Sequence, residues 1–323
     1  MIVVIRRQRR SAVLTPSALP CLRDVATVNL TAGCAHGCVY CYARSYPSYP
    51  GDGTIVFYTN TLQLIREELP LRRSPPPVVY FSPSSDLFQP VSQVLEMGYD
   101  ILEFLFTKGL PVAFLSKGCI PSRHMELLCA NPRLVQAQIG ITTLDERIST
   151  MFEPGAAPPA QRLKQLEELR SAGVRARARL DPLIPGWTDE PAALDELCRA
   201  LAAAGVSQMS ASALFIRAEI VRTLGRLLPN QEVFHSLLRH YPAPCAARSA
   251  AGRRGERSLA KALRERMYDS VRESAVRHGI ALSICGCENP DITSERCCIA
   301  GERPDPRTGS RQTKLFAVES AKT

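Results

Sequence analysis

Seven of the twelve cysteines fall into two tight groups, 34-38-41 and 285-287-297-298, a distribution that suits metal ligands better than disulfide partners. Cys34, Cys38 and Cys41 stand in C-x₃-C-x₂-C spacing within the segment Asn29–Arg44. Three thiolates so spaced can hold three irons of a four-iron cubane, and with no fourth cysteine nearby one iron is left open to a ligand. A zinc knuckle built from Cys38, Cys41 and a distant pair is the competing use of the same residues. Gly33 and Gly37 let the backbone wrap closely around an inorganic group, because glycine accepts conformations that other residues resist. His36 lies inside this loop, where three thiolates already supply ligands, so a supporting or surface role suits it better than ligation.

The second group, Cys285, Cys287, Cys297 and Cys298, offers four thiolates within one short segment. They can complete a second iron–sulfur cluster or a tetrahedral zinc site, or serve as redox thiols or a hydrogen donor. Adjacent Cys297 and Cys298 cannot easily both ligate one small ion, whereas a cubane is more forgiving, so a second cluster is the preferred expectation. Cys21, Cys119, Cys129, Cys198 and Cys245 are scattered and read as small buried hydrophobes.

The elements that must position these groups alternate. Short β-like runs at 26–31, 78–81, 111–116, 134–142, 174–181 and 206–215 are separated by amphipathic stretches at 60–69, 91–108, 121–129, 158–172 and 189–204. This is the pattern of a parallel sheet with crossover helices. Six such units predict an α/β fold, a partial (β/α)₆ barrel open on one side, with a C-terminal cysteine-rich extension and chemistry at the C-terminal ends of the strands. The expected organisation is an N-terminal extension over 1–24, the barrel over 25–283 and a cysteine-rich segment and tail over 284–323. Within the barrel, 216–257 is an insertion with a helix near 231–240 and a basic loop carrying Arg253, Arg254 and Arg257. A helix over 258–278 and a short strand over 280–284 lead into the second cysteine group. Strict alternation in Val174–Asp181 puts Arg175, Arg177 and Arg179 on one face. Pointing inward, Arg179 at the catalytic rim would suit phosphate or carboxylate.

A net charge of +9 in 323 residues makes an anionic partner plausible, with DNA or RNA first in line. The first residues lack the order of a secretion signal, and no long uncharged apolar run suggests a membrane helix. A cytoplasmic, reducing setting without membrane attachment is the expectation.

The cysteine loop, with aromatic Tyr40 just before its third cysteine, resembles the signature of the radical S-adenosylmethionine superfamily. Residues 25–190 are similar to the branch that contains spore photoproduct lyase and DNA repair photolyase-like proteins. Besides the loop, the resemblance rests on Ser82–Pro90, on Leu115–Gly118, and on blocks from Ile141–Arg147 through Phe152–Pro154 and Arg162 to Asp181–Asp189. It implies a [4Fe–4S] cluster whose open iron is chelated by S-adenosylmethionine, cleavage to a 5′-deoxyadenosyl radical that abstracts hydrogen, and a flavodoxin- or ferredoxin-like electron donor. On this resemblance Tyr40, Ser84, Ser85 and Asp86 line the S-adenosylmethionine site, Lys117 receives the methionyl carboxylate, and Thr142 and Thr143 hold the nucleoside. Ser84 departs from the lyase, which has at that place a cysteine that returns a hydrogen atom. The chain is therefore not expected to be that lyase itself. Repair or modification of nucleic acid is the leading expectation. A radical maturase of a peptide, a radical enzyme acting on a small metabolite and a non-catalytic zinc protein that binds nucleic acid are the alternatives.

Overall fold

Seven short strands pair in parallel and in chain order: β1 (Ala26–Val28), β2 (Val79–Phe81), β3 (Val112–Ser116), β4 (Val135–Gly140), β5 (Arg175–Leu183), β6 (Gln208–Ala213) and β7 (Ala281–Ile284). The computed structural model describes residues 2–17, 19–241 and 256–294. Strands β1 to β4 are buried along nearly their whole length, as expected where helices cover the outside and side chains fill the inside of a parallel sheet. The outer edges of β1 and β7 do not pair with each other, so the barrel stays open between them.

Helices α1 (Thr61–Glu68), α2 (Ser92–Thr107), α3 (Ser122–Ala130), α4 (Glu146–Phe152), α5 (Pro159–Ser171) and α6 (Pro191–Ala203) fill the crossovers from β1 to β6. In α6 the spacing of three and four buries Leu194, Leu197, Cys198 and Leu201. Before β7 come α7 (Ala218–Leu227), α8 (Gln231–Leu238) and α9 (Lys261–Arg277), the last lying against α6 and β7. Arg253, Arg254 and Cys245 lie outside the described residues; Arg257 pairs in a short antiparallel ladder opposite Ile216. Among the described residues no helix is long and apolar enough to cross a membrane.

The expected strand over 26–31 divides in two. The carbonyl of Val28 accepts from Ser82 N at 2.7 Å inside the main sheet, but that of Leu30 accepts from Tyr58 N at 3.0 Å, so the backbone changes partners between them. Thr31–Ala32 then joins a small sheet with Thr54–Tyr58 and, parallel to the latter, Val3–Arg7. Neither of those two strands was expected from the alternation, although Thr54–Tyr58 reads Thr-Ile-Val-Phe-Tyr, a strongly β-forming run. Along β5 the expected alternation holds: Ala176, Ala178 and Leu180 are buried, Arg175 is exposed at the bottom, and Arg179 is buried at the rim.

The open edge is tied down by Tyr268 of α9. Its hydroxyl accepts from Ala213 N at 2.9 Å, at the end of β6, and donates to Asn289 Oδ1 at 2.8 Å, in the turn after β7. Asn289 also binds Arg264 Nη1 and the Cys285 carbonyl, so the buried hydroxyl is one of the ties that fasten the segment after β7 to the barrel. Tyr268→Phe leaves buried polar groups unmatched and should lower stability by about 1–3 kcal/mol in denaturant unfolding. An unchanged midpoint would show that this tie contributes nothing.

Candidate active site

The cysteine loop leaves the small sheet at Ala32 and turns across the rim of the barrel. Gly33 sits at φ +84° with the space for a Cβ blocked by the Thr54 carbonyl oxygen, 2.6 Å away, so only glycine starts this turn. Gln89, fully buried, pins the loop: its Oε1 accepts from Ala35 N at 2.9 Å and its Nε2 donates to Thr31 Oγ1 at 3.0 Å. Buried Arg44 donates to the carbonyls of Gly37 at 3.0 Å and Cys38 at 3.1 Å, and its other side pairs with Asp52. On the opposite flank the segment after α4 docks on the loop, with Val39 N donating to Phe152 O at 3.0 Å and Gly155 N to His36 O at 2.8 Å.

His36 ties this loop to its neighbours. Its Nδ1 lies 2.8 Å from the Gly155 carbonyl and its Nε2 lies 3.1 Å from Asp86 Oδ2, and the neighbouring carboxylate outweighs burial to raise its pKa. Asp86 accepts from Phe88 N, Ser116 Oγ and Lys117 N, each at 2.8 Å. Burial would raise its carboxyl, but the charge and hydrogen bond of His36, helped by the Lys117 and Phe88 amides, hold it below the usual range. The carboxylate therefore organises three loops.

Lys117 is engaged by partners far along the chain. It crosses over Gly140, where a Cβ would come within 2.8 Å of both its Cγ and Nζ, and reaches Glu153 Oε1 and the Asp181 carbonyl, each at 3.0 Å. Glu153 is 3% exposed and also meets the Tyr40 hydroxyl and Arg162, whose Nη1 is 2.5 Å from Oε2. Arg162, itself 1% exposed, donates further to the Ala157 and Gly140 carbonyls. With Lys117 and Arg162 beside it, the Glu153 carboxyl is held at about 2. Sequence reasoning assigned no role to Glu153 or Arg162. They stand within the shared blocks, but nothing in their spacing pairs them with Tyr40 or Lys117.

Cys34, Cys38, Cys41, Tyr40, Ser84, Ser85, Asp86, Lys117 and Arg179 all line one cavity, and so do Cys285 and Cys287. Thr142 and Thr143 are buried but are not among its lining residues; Thr143 Oγ1 instead accepts from Asp145 N at 3.0 Å beside the start of α4. Arg179 faces the cavity with Nε and Nη2 on Asp181 Oδ2 at 2.9 and 2.6 Å. Ser84 donates to Asn29 Oδ1 at 2.9 Å. Ser82, which the sequence did not single out, lines the cavity at φ +52°, and its hydroxyl and that of Ser85 are buried without a hydrogen-bond partner. Cys297 and Cys298 lie outside the described residues.

The donor set fits an iron–sulfur cluster. Burial pushes all three loop thiols up, Cys38 to about 12, so the thiolates need a positive partner, which iron would supply. Among the described residues no three His, Cys, Asp or Glu side chains converge as they would around a single ion. Three thiols spread along one cavity wall suit a polynuclear group.

A family model described as the radical SAM superfamily matches residues 28–198, just over half of the chain. An uncharacterized protein of Mycobacterium tuberculosis is 28% identical over 200 residues, 59% of each chain. The radical SAM Nα-GlyT isomerase of Pseudomonas phage M6 is 30% identical over 171 residues, 52% of this chain and 35% of that one. The matched region thus spans 59% of the length of the mycobacterial relative. Among solved structures, spore photoproduct lyase complexed with dinucleoside spore photoproduct superposes with a TM-score of 0.63 at 16% identity, over 87% of this chain and 82% of that one. A variant of the lyase with bound AdoMet and the dinucleoside gives 0.64 at 16% identity, over 86% and 81%. The likeness to the lyase is one of fold.

Glu153→Gln removes the one anion between Lys117 and Arg162 and should cost about 3–5 kcal/mol at neutral pH. Because folding lowers the Glu153 pKa from the ordinary 4.5 to about 2, its contribution is complete above about pH 4.5 and is lost as pH falls through about 2. Urea unfolding of both proteins should therefore show a stability gap that narrows over that window. A gap independent of pH would contradict an ionised Glu153.

Proposed function

We propose that this chain, which belongs to the radical SAM superfamily, is an enzyme that uses a [4Fe–4S] cluster and S-adenosylmethionine to act by hydrogen abstraction on nucleic acid, in repair or modification. The observation that carries the reading is the shared cavity, lined by three loop thiols and by two serines whose buried hydroxyls have no partner. Cys34, Cys38 and Cys41 would hold the cluster, while Tyr40, Ser82, Ser84 and Ser85 border the space for S-adenosylmethionine. The bound pair supplies a 5′-deoxyadenosyl radical. Buried hydroxyls without partners cost about 1–3 kcal/mol each, which a polar ligand in the cavity would offset.

The protein's own residues serve by holding and excluding. Glu153, paired with Lys117, accepts from the Tyr40 hydroxyl, and Asp86 fixes His36 within the cysteine loop. Arg179, aligned by Asp181, faces the cavity as a contact for an anionic substrate. The net charge of +9 supports a nucleic-acid substrate, and solved structures of the lyase hold a dinucleoside. A flavodoxin- or ferredoxin-like protein in the cytoplasm would provide the electron. A non-catalytic zinc protein fits less well, given the absence of converging single-ion donors among the described residues.

The second cysteine group belongs to the same reading, with Cys285 and Cys287 holding an auxiliary cluster together with Cys297 and Cys298. Supporting this, the first two line the cavity, and Cys285 N is fixed to the Ala211 carbonyl at 3.0 Å.

Replacing Cys34, Cys38 and Cys41 together by alanine should abolish 5′-deoxyadenosine formation with dithionite and remove roughly half of the iron. Undiminished deoxyadenosine would end the central proposal. The iron remaining in that triple variant tests the auxiliary cluster separately: it should disappear when Cys285 and Cys287 are also replaced by alanine. Zinc, or no metal, at the remaining site would overturn the second assignment alone.

A further inference from the structure

A second, polar cleft lies beside the cysteine loop, roughly 450 Å³ in volume and lined in part by Arg7, Arg9, Arg10, Ser48 and Ser84. We propose that it takes the phosphodiester backbone of a nucleic-acid strand whose reacting nucleotide occupies the cysteine-lined cavity, an inference that rests on the nucleic-acid reading above.

Charge is the first argument. No carboxylate lines the cleft, and among the described residues none of Arg7, Arg9 or Arg10 forms an ion pair. Buried arginines elsewhere are neutralised, Arg44 by Asp52, Arg162 by Glu153, Arg179 by Asp181 and Arg264 by Asp291. Glu68 acts on Arg9 through space without pairing with it, and three guanidinium groups around one concavity still raise its potential and draw in an anion.

Arg9 shows that the cleft is built. Its guanidinium stacks 4.2 Å from the centre of the Tyr58 ring, and Nη2 donates to the Asn29 carbonyl at 2.8 Å. Backbone bonds hold the same residue at both ends, Arg9 N donating to Asn60 Oδ1 at 2.8 Å and Asn60 Nδ2 to Arg9 O at 2.9 Å. Its Nε is buried with no hydrogen-bond partner, and burial lowers its pKa. An arginine stacked and held in a fixed orientation at the cleft wall is suited to a phosphate oxygen.

Position supplies the strand. Ser84 lines both spaces, and its N and Oγ donate to Asn29 Oδ1 at 3.1 and 2.9 Å, so a single hydrogen-bonded wall divides the cleft from the cavity. An isolated phosphate would meet the cleft alone. A polynucleotide, with one charge per nucleotide and bases that can splay away from the backbone, can occupy both sides of that wall.

The test measures anisotropy of a short fluorescein-labelled single-stranded oligonucleotide across a salt series. Removing two phosphate contacts in Arg7→Gln/Arg10→Gln should reduce the slope of log affinity against log salt by about 1.4, at roughly 0.7 per contact for single strands. Arg6→Gln/Arg175→Gln removes the same charge from exposed positions outside the cleft and should leave the slope near that of the wild type. Thermal unfolding checks that the variants fold; if the first double variant does not, Arg10→Gln alone should give about half the effect. Equal slopes for the two double variants, or equal displacement of the oligonucleotide by inorganic phosphate and by unlabelled strand at matched phosphate concentration, would overturn the cleft assignment. If the wild type shows no salt-sensitive binding at all, the nucleic-acid reading falls first and this inference falls with it.

Discussion

A carboxylate sealed from water must be surrounded by cations, and that requirement at Glu153 shapes the rim of this barrel. Glu153 follows α4, Lys117 follows β3, Arg162 lies on α5 and Tyr40 belongs to the cysteine loop. One buried charge thereby draws four separate segments to a point. Lys117 reaches it only because Gly140 lacks a side chain, and Arg162 fills its remaining donors with the Gly140 and Ala157 carbonyls. The backbone of Phe152 and Gly155, on either side of the charge, then clamps the cysteine loop. The orientation of the thiols thus depends on an electrostatic knot that contains no thiol.

The open barrel explains how two cysteine groups far apart in sequence share a cavity. Cys34 follows the edge strand β1 and Cys285 follows the edge strand β7, and these strands flank the gap that the sheet leaves unpaired. A closed barrel would place further strands between them. The gap is framed by specific ties: the small sheet holds the first cysteine segment through Gly33 and Thr54, and Tyr268 with Asn289 holds the second.

What was legible in the sequence follows from the range of each interaction. Local patterns carried through: the βα alternation, the buried stripe of α6 and the burial of Ala176, Ala178 and Leu180 on β5 are set by periodicity within a few residues. The split of the first strand was not legible, because it depends on hydrogen-bond partners at Tyr58 and Ser82. The partners that hold Asp86 and Lys117 are not displayed by a sequence. The Asp86–His36 and Lys117–Glu153 pairs join residues dozens of positions apart. Ser82 was passed over for a different reason: it is noticeable only when its buried hydroxyl is seen to lack a partner beside the thiols.

The distribution of arginines joins the electrostatics of the rim to the surface beyond it. Inside, each buried guanidinium is paired with a carboxylate or with carbonyls, as the low dielectric demands. At the N-terminal edge, the strand Val3–Arg7 brings arginines to the flank of the cysteine loop without bringing carboxylates to match. The small sheet therefore has two effects from one set of backbone hydrogen bonds. Through Thr54 it shapes the turn that starts the thiol loop, and through Arg7 and Arg9 it presents unneutralised charge beside the same loop. Any anion attracted to that edge is brought within one hydrogen-bonded wall, Ser84 on Asn29, of the cavity where the thiols stand. Attraction and positioning are thus coupled through the strand pairing of Val3–Arg7 with Thr54–Tyr58.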